Sequence, residues 1–207
     1  MLGLGNSVGG YVLSGAWLPS DEGSLFAWWK FNTGITLNGS NVNTWADSSS
    51  NSHDMTMSNG QAAFQPAFSS GVLTFAVDGS SNPDHLVSST NIELDGEFVL
   101  GFKINPSSAN NVVLASITTG SEMFKIFESA DRLRVKNDSA TKDFTLSSGS
   151  ILDDAYYVVS RDGSDNVTVF KDGSAVGAAQ SVAGTFDINA LGLRQSASAP
   201  GTNPYIG

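Results

Sequence analysis

The 207-residue sequence has no cysteine, so neither a disulfide nor a thiolate zinc site can hold it together, and cysteine usage says nothing of its redox compartment. Stability must come from burial. Charge is also scarce: Asp, Glu, Lys and Arg make up 14% of the chain, against roughly a quarter in ordinary soluble domains, which leaves little for salt-bridge-rich helices. Basic residues are the scarcest of these, with 10 Lys and Arg against 20 Asp and Glu, a formal net charge of -10. Such a surface repels phosphate backbones, and nucleic acid is not an expected partner. Glycines interrupt each apolar run before it could span a bilayer, and the start lacks the basic residues that open a secretory signal. No export signal and no membrane span are read. Nor does any stretch of about a dozen residues keep a clean 3.6-residue period, so helix content should be small.

What is present is glycine, serine, threonine and asparagine between short apolar runs, the composition of many strands joined by turns. The length suits one core. Residues 1–20 stand apart as a Gly-rich, nearly uncharged arm ending at Leu18-Pro19-Ser20-Asp21. Its apolar side chains, Leu2, Leu4, Val8, Tyr11, Val12, Leu13 and Trp17, read as assembly contacts buried against a partner, or else as an extra edge strand on the same domain. Residues 21–207 read as a single all-β domain, a two-sheet antiparallel sandwich. Candidate strands are Leu25–Phe31, Val42–Ala46, Val72–Val77, Glu97–Ile104, Val112–Ile117, Met123–Phe127, Arg132–Lys136, Tyr156–Ser160, Val167–Lys171 and Ala190–Arg194. The firmest turns are Arg161-Asp-Gly-Ser-Asp-Asn166 and Asp172-Gly173, where Asp and Gly supply the positive φ angles that tight hairpins need. No internal repeat is visible, which disfavours propellers and solenoids.

Three stretches, in order, resemble one family. Phe26-Ala-Trp28-Trp29-Lys-Phe31 followed by Trp45-Ala-Asp47-Ser-Ser-Ser-Asn51-Ser-His53 is similar to the opening of concanavalin A-like, laminin-G-like domains. Leu73-Thr-Phe75-Ala-Val77-Asp78-Gly79 with His85-Leu86-Val87 resembles a second step of that family, and Tyr157 through Gly173 resembles its hairpin. The resemblance implies a jelly-roll-like sandwich whose relatives include lectins, glycosidases, adhesion domains and virus-particle proteins. Two departures stand out. Ser52 follows Asn51 where the family has glycine, and Tyr205-Ile-Gly207 ends the sequence where the family runs on into one more apolar strand. That strand is expected to be missing from this sequence or supplied by the arm or a neighbouring chain, since its absence exposes an edge.

Candidate chemistry is thin. Glu93-Leu-Asp95-Gly-Glu97 matches the E-x-D-x-E spacing of laminarinase-type glycoside hydrolases on the same fold, and strand alternation would put all three carboxylates on one face. Gly96 argues instead for a bend, so no catalytic residue is assigned. Asp78, Asn82 and Asp84 offer hard oxygens for calcium, the one candidate ion, although Asx residues serve loop geometry more often. His53 and His85 have carboxylate neighbours in Asp54 and Asp84 but no ligand spacing, and read as turn residues. Trp28, Trp45 and Tyr157 are the rings that could stack on a glycan. Adjacent Trp28 and Trp29 must point to opposite faces, so one belongs to the core.

The expectation is therefore a non-enzymatic structural or assembly protein, concretely a phage virion component such as a capsid decoration, head-fibre or tail-associated protein, present in multiple copies. Its expected partners are other virion proteins, met through residues 1–20, with glycans as a further ligand class. The alternatives are a lectin-like, carbohydrate-binding module at a cell surface or outside the cell, and a glycosidase using Glu93, Asp95 and Glu97.

Overall fold

Alternation along the strands already dictates two layers. The strand Ala155–Arg161 buries Ala155, Tyr157, Val159 and Arg161 and leaves Tyr156, Val158 and Ser160 half-exposed, as a sheet with one face on a core must. The computed structural model describes residues 19–57, 61–78, 82–108, 112–117, 123–127, 131–196 and 199–202. Among these, helix is confined to the short 3-10 turns Pro19–Asp21 and Ala62–Phe64, and no helix is long and apolar enough to cross a membrane. The chain is an all-β protein built on two antiparallel sheets.

The larger sheet has eleven strands. In spatial order they are Thr141–Thr145, Arg132–Lys136, Met123–Phe127, Val112–Ala115, Phe186–Leu191, Leu86–Leu94, Met55–Thr56, Asn41–Trp45, Ala67–Ser69 and Val72–Thr74, with Ile35–Asn38 also paired to Asn41–Trp45. The smaller has five: Ser174–Ala175, Asn166–Lys171, Ala155–Arg161 and Phe98–Ile104 in order, with Gln180–Ser181 also paired to Asn166–Lys171. Their apolar faces meet in one core cluster that draws on both sheets. Phe98 of the small sheet sets its ring edge-on to Phe186 of the large one (centroids 5.7 Å apart), and Phe186 stacks on Phe124 at 5.5 Å. Offset and edge-on ring pairs of this kind add to the area they bury.

The expected hairpin is present and its chemistry is visible. Asp162 Oδ1 accepts the N–H groups of Ser164 and Asn166, each at 2.9 Å, and Asp165 takes a positive φ of 61°. Asp172 (φ 48°) and Gly173 (φ 80°) both sit in the left-handed region, the requirement of a type I′ turn.

Three strand expectations need correction. Leu25–Phe31 pairs with no strand among the described residues, and its backbone bonds go to a polar turn around Asp47 and Asn51. Val72–Val77 is broken into Val72–Thr74 and Val77–Asp78. Ala190–Arg194 is the seam of two elements: Phe186–Leu191 ends at Gly192, whose φ of 85° leaves the strand, and Arg194–Ser196 starts another. The longest strand among the described residues, Leu86–Leu94, has no counterpart among the candidate strands. Its Ser88-Ser-Thr-Asn91 centre dilutes the apolar alternation by which strands are recognised.

Candidate functional site

Glu93, Asp95 and Glu97 do not share a strand face. Glu93 ends the Leu86–Leu94 strand in the large sheet, while Asp95-Gly96-Glu97 is the three-residue passage to Phe98–Ile104 in the small one. Gly96 has a φ of 62°, so the chain bends where a catalytic strand would have to run straight, and the Glu97 carboxylate leans over Gly163 of the neighbouring hairpin. The spacing in sequence survives; the convergence it requires does not.

That passage is tied down by a residue sequence reasoning missed. Arg161 is 3% exposed, and its guanidinium donates to the Gly96 carbonyl (2.5 Å), the Leu94 carbonyl (3.3 Å), the Val182 carbonyl (3.4 Å) and the Gly184 carbonyl. It lies against the rings of both Phe98 and Phe186, 5.1 and 5.6 Å from their centroids. In sequence Arg161 looks like the first residue of a turn. No signal there says that it is core.

The calcium candidates are not brought together as a set. Asp84 is buried and its Oδ2 accepts the Ala76 N–H at 2.8 Å, so its carboxylate serves the Val77–Asp78/Asn82–Pro83 hairpin. The side chains of Asp78 and Asn82 lie outside the described residues. Among the described residues no three His, Cys, Asp or Glu side chains are grouped to hold a metal. His85 Nδ1 lies 2.9 Å from the Pro83 carbonyl, and burial holds its pKa below the ordinary histidine range despite that bond. His53 stacks on Phe26 at 5.0 Å and pairs through Nδ1 with Thr90 Oγ1 at 2.9 Å, so the two histidines serve separate places.

The Trp45-to-His53 motif proves to be a staple. Asp47 Oδ1 accepts the N–H groups of Trp28 and Ser49, each at 2.8 Å, and Oδ2 accepts Ser49 Oγ at 2.6 Å and the His53 N–H at 3.0 Å. Asn51 Nδ2 donates to the carbonyls of Leu25 and Phe26. Among the described residues this network stands in for a strand partner of Leu25–Phe31. Burial alone would raise the Asp47 pKa, but the hydrogen bonds from Ser49, Trp28 and His53 outweigh it and hold the carboxyl below its usual range. Ser52, at a φ of 59°, occupies the left-handed position that glycine takes without strain.

Of the candidate stacking rings, Trp45 packs against the core and donates its indole N–H to the Lys30 carbonyl, as Trp29 beside it packs there and donates to the His53 carbonyl. Trp28 stays half-exposed, with the Lys30 ammonium 5.3 Å above its ring. Tyr157 is a correction: it is fully buried and stacked on Phe102, so it offers no face to a sugar. Its hydroxyl has no hydrogen-bond partner. Burial, with smaller effects from Asp153, Asp172 and Asp131, pushes its phenol well above the ordinary tyrosine range. Because a buried hydroxyl without a partner costs free energy, Tyr157→Phe is expected to stabilise the protein by about 1 kcal/mol. Urea unfolding measures this, and a loss of stability would show that the hydroxyl is satisfied in solution.

The assembly residues Leu2, Leu4, Val8, Tyr11, Val12, Leu13 and Trp17 lie outside the described residues. What the described part offers instead is the edge of the small sheet. Phe98–Ile104 pairs with Ala155–Arg161 on one side, from Phe98 opposite Arg161 to Ile104 opposite Ala155, and ends the sheet among the described residues. Half of its backbone N–H and C=O groups therefore point away from any described strand. Its inward side chains, Phe98, Leu100 and Phe102, touch the core but are only partly buried, and on the outer face Val99 is 71% exposed. Alternation in Phe98-Val-Leu-Gly-Phe-Lys-Ile104 announces a strand. Nothing in it announces an edge.

Against known proteins, the chain matches no protein-family model, no curated protein and no solved structure. The class defined by the fold itself is an all-β protein of two antiparallel sheets.

Proposed function

We propose that the chain is a non-enzymatic assembly module of concanavalin A-like type, working as a structural component of a virus particle. The observation that carries this reading is the Phe98–Ile104 edge, which no second strand covers among the described residues, seven residues long with one charged side chain, Lys103, and with Val99 standing in solvent. Folded proteins usually blunt such an edge with proline, bulges or repeated charge, because it is a template for pairing with another chain. An edge left open on an otherwise acidic molecule is accounted for by a partner that closes it. The non-enzymatic part is supported by the carboxylates: Glu93, Asp95 and Glu97 diverge, while Asp47 and Asp84 are committed to backbone N–H groups. The apolar arm in the sequence suits the same role.

The reading is tested by tagging the chain in the cells or infected cultures that make it and sedimenting the lysate through a gradient. The tag is expected in particle-sized fractions. Recovery solely as free protein of one or two copies overturns the proposal.

A further inference from the structure

We infer that the Phe98–Ile104 edge, uncovered among the described residues, is closed by the same strand of a second copy, laid antiparallel about a twofold axis through Gly101. The inference rests on the assembly reading and names the partner at that edge. In this register Phe98 lies opposite the second copy's Ile104, Leu100 opposite its Phe102, and Gly101 opposite its Gly101. Because the side-chain period is 2, the pairing keeps the faces matched. Phe98, Leu100 and Phe102 sit on the core side and are only partly buried in one copy. Each gains an apolar neighbour across the axis, and the two cores become continuous.

The outer face fits as well. Val99 comes to lie opposite the second copy's Lys103, so the 71%-exposed side chain is met by the aliphatic stem of a lysine. The Lys103 ammonium keeps its ion pair with Asp154 of its own copy, 3.0 Å away. Glycine at the axis removes the Cβ where the strand meets itself. Other axes do worse: one at Lys103 sets the two ammonium groups against each other, and one at Val99 carries Phe102 past the strand's end, opposite Gly96. The -10 charge of each copy opposes association, so the dimer belongs to ionic strengths where the Debye length is about 8 Å.

The test uses the full-length chain at physiological ionic strength in sedimentation equilibrium. Wild type should form a reversible dimer. Val99→Lys alters an exposed side chain, so the fold should be retained by circular dichroism, while two lysine pairs now oppose each other across the axis; dimer affinity should fall about tenfold or more. Register is read by cysteine pairing, since a single introduced cysteine in this cysteine-free chain can link only to another copy. Gly101→Cys should oxidise to a covalent dimer. Val99→Cys should not link to itself, its two copies being about 13 Å apart along the strands, but should link when mixed with Lys103→Cys. A wild type that stays monomeric, or a dimer indifferent to Val99→Lys that fails to cross-link in this pattern, overturns the inference. Either result leaves the assembly reading to its own test: particle-sized sedimentation with a monomeric edge would mean that another segment of the chain or a different protein closes it.

Discussion

Replacing Arg161 with methionine is expected to lower the unfolding free energy by about 3 kcal/mol. Methionine fills much of the volume and keeps contact with Phe98 and Phe186, so the loss isolates the donors. Four carbonyls, of Leu94, Gly96, Val182 and Gly184, lose their partner at once. These carbonyls belong to two separate loops, one of them the passage between the sheets, so the damage should spread through both. Arg161→Lys should recover little, because an ammonium on a flexible stem cannot reproduce the planar fork. Hydrogen exchange offers a local readout: amides around residues 94–98 and 182–184 should lose protection first. Unfolding by urea that leaves Arg161→Met within about 0.5 kcal/mol of wild type, the range of an ordinary surface substitution, would mean that water takes over the carbonyls.

Asp47→Ala is expected to cost about 2–3 kcal/mol, because four donors from Trp28, Ser49 and His53 lose one carboxylate. Asp47→Asn should fall between the two, keeping one acceptor oxygen while turning the other into a donor that faces donors. The lowered pKa sets the pH dependence. A carboxyl whose folded pKa lies below its unfolded value stabilises the fold fully above the unfolded value, and that contribution is lost as pH falls towards the folded one. Asp143 adds to the same trend: its hydrogen bonds and charge pairing with Arg134 and Arg132 hold its carboxyl low against a smaller burial effect. Stability should therefore decline on acidification below the ordinary carboxylate range. In Asp47→Ala the decline should be shallower, as a series of urea titrations across acidic pH would show.

Trp45, Asp47, Asn51 and His53 form a real unit, because an Asx-centred turn needs donors and acceptors a few residues apart and such spacing is written in sequence. The hairpins at Arg161–Asn166 and Asp172-Gly173 were legible for the same reason, since positive φ selects Asp and Gly locally. The E-x-D-x-E stretch misled because a spacing of two places side chains together only if the strand runs straight, and Gly96 bends it. Tyr157 misled because Tyr156-Tyr157-Val158-Val159 is apolar on both faces, so alternation alone could not say which ring was the inner one.

By itself the sequence determined the all-β class, the turns and the polar staple, all consequences of short-range backbone preference and of alternation with period 2. Only the packing of distant segments makes Arg161 core, sets Glu93 in a strand and Glu97 in the bend beyond it, seals Tyr157, and leaves Phe98–Ile104 at the end of the smaller sheet among the described residues. Those facts depend on which strand lies beside which, a relation between residues far apart in the chain that no local pattern encodes.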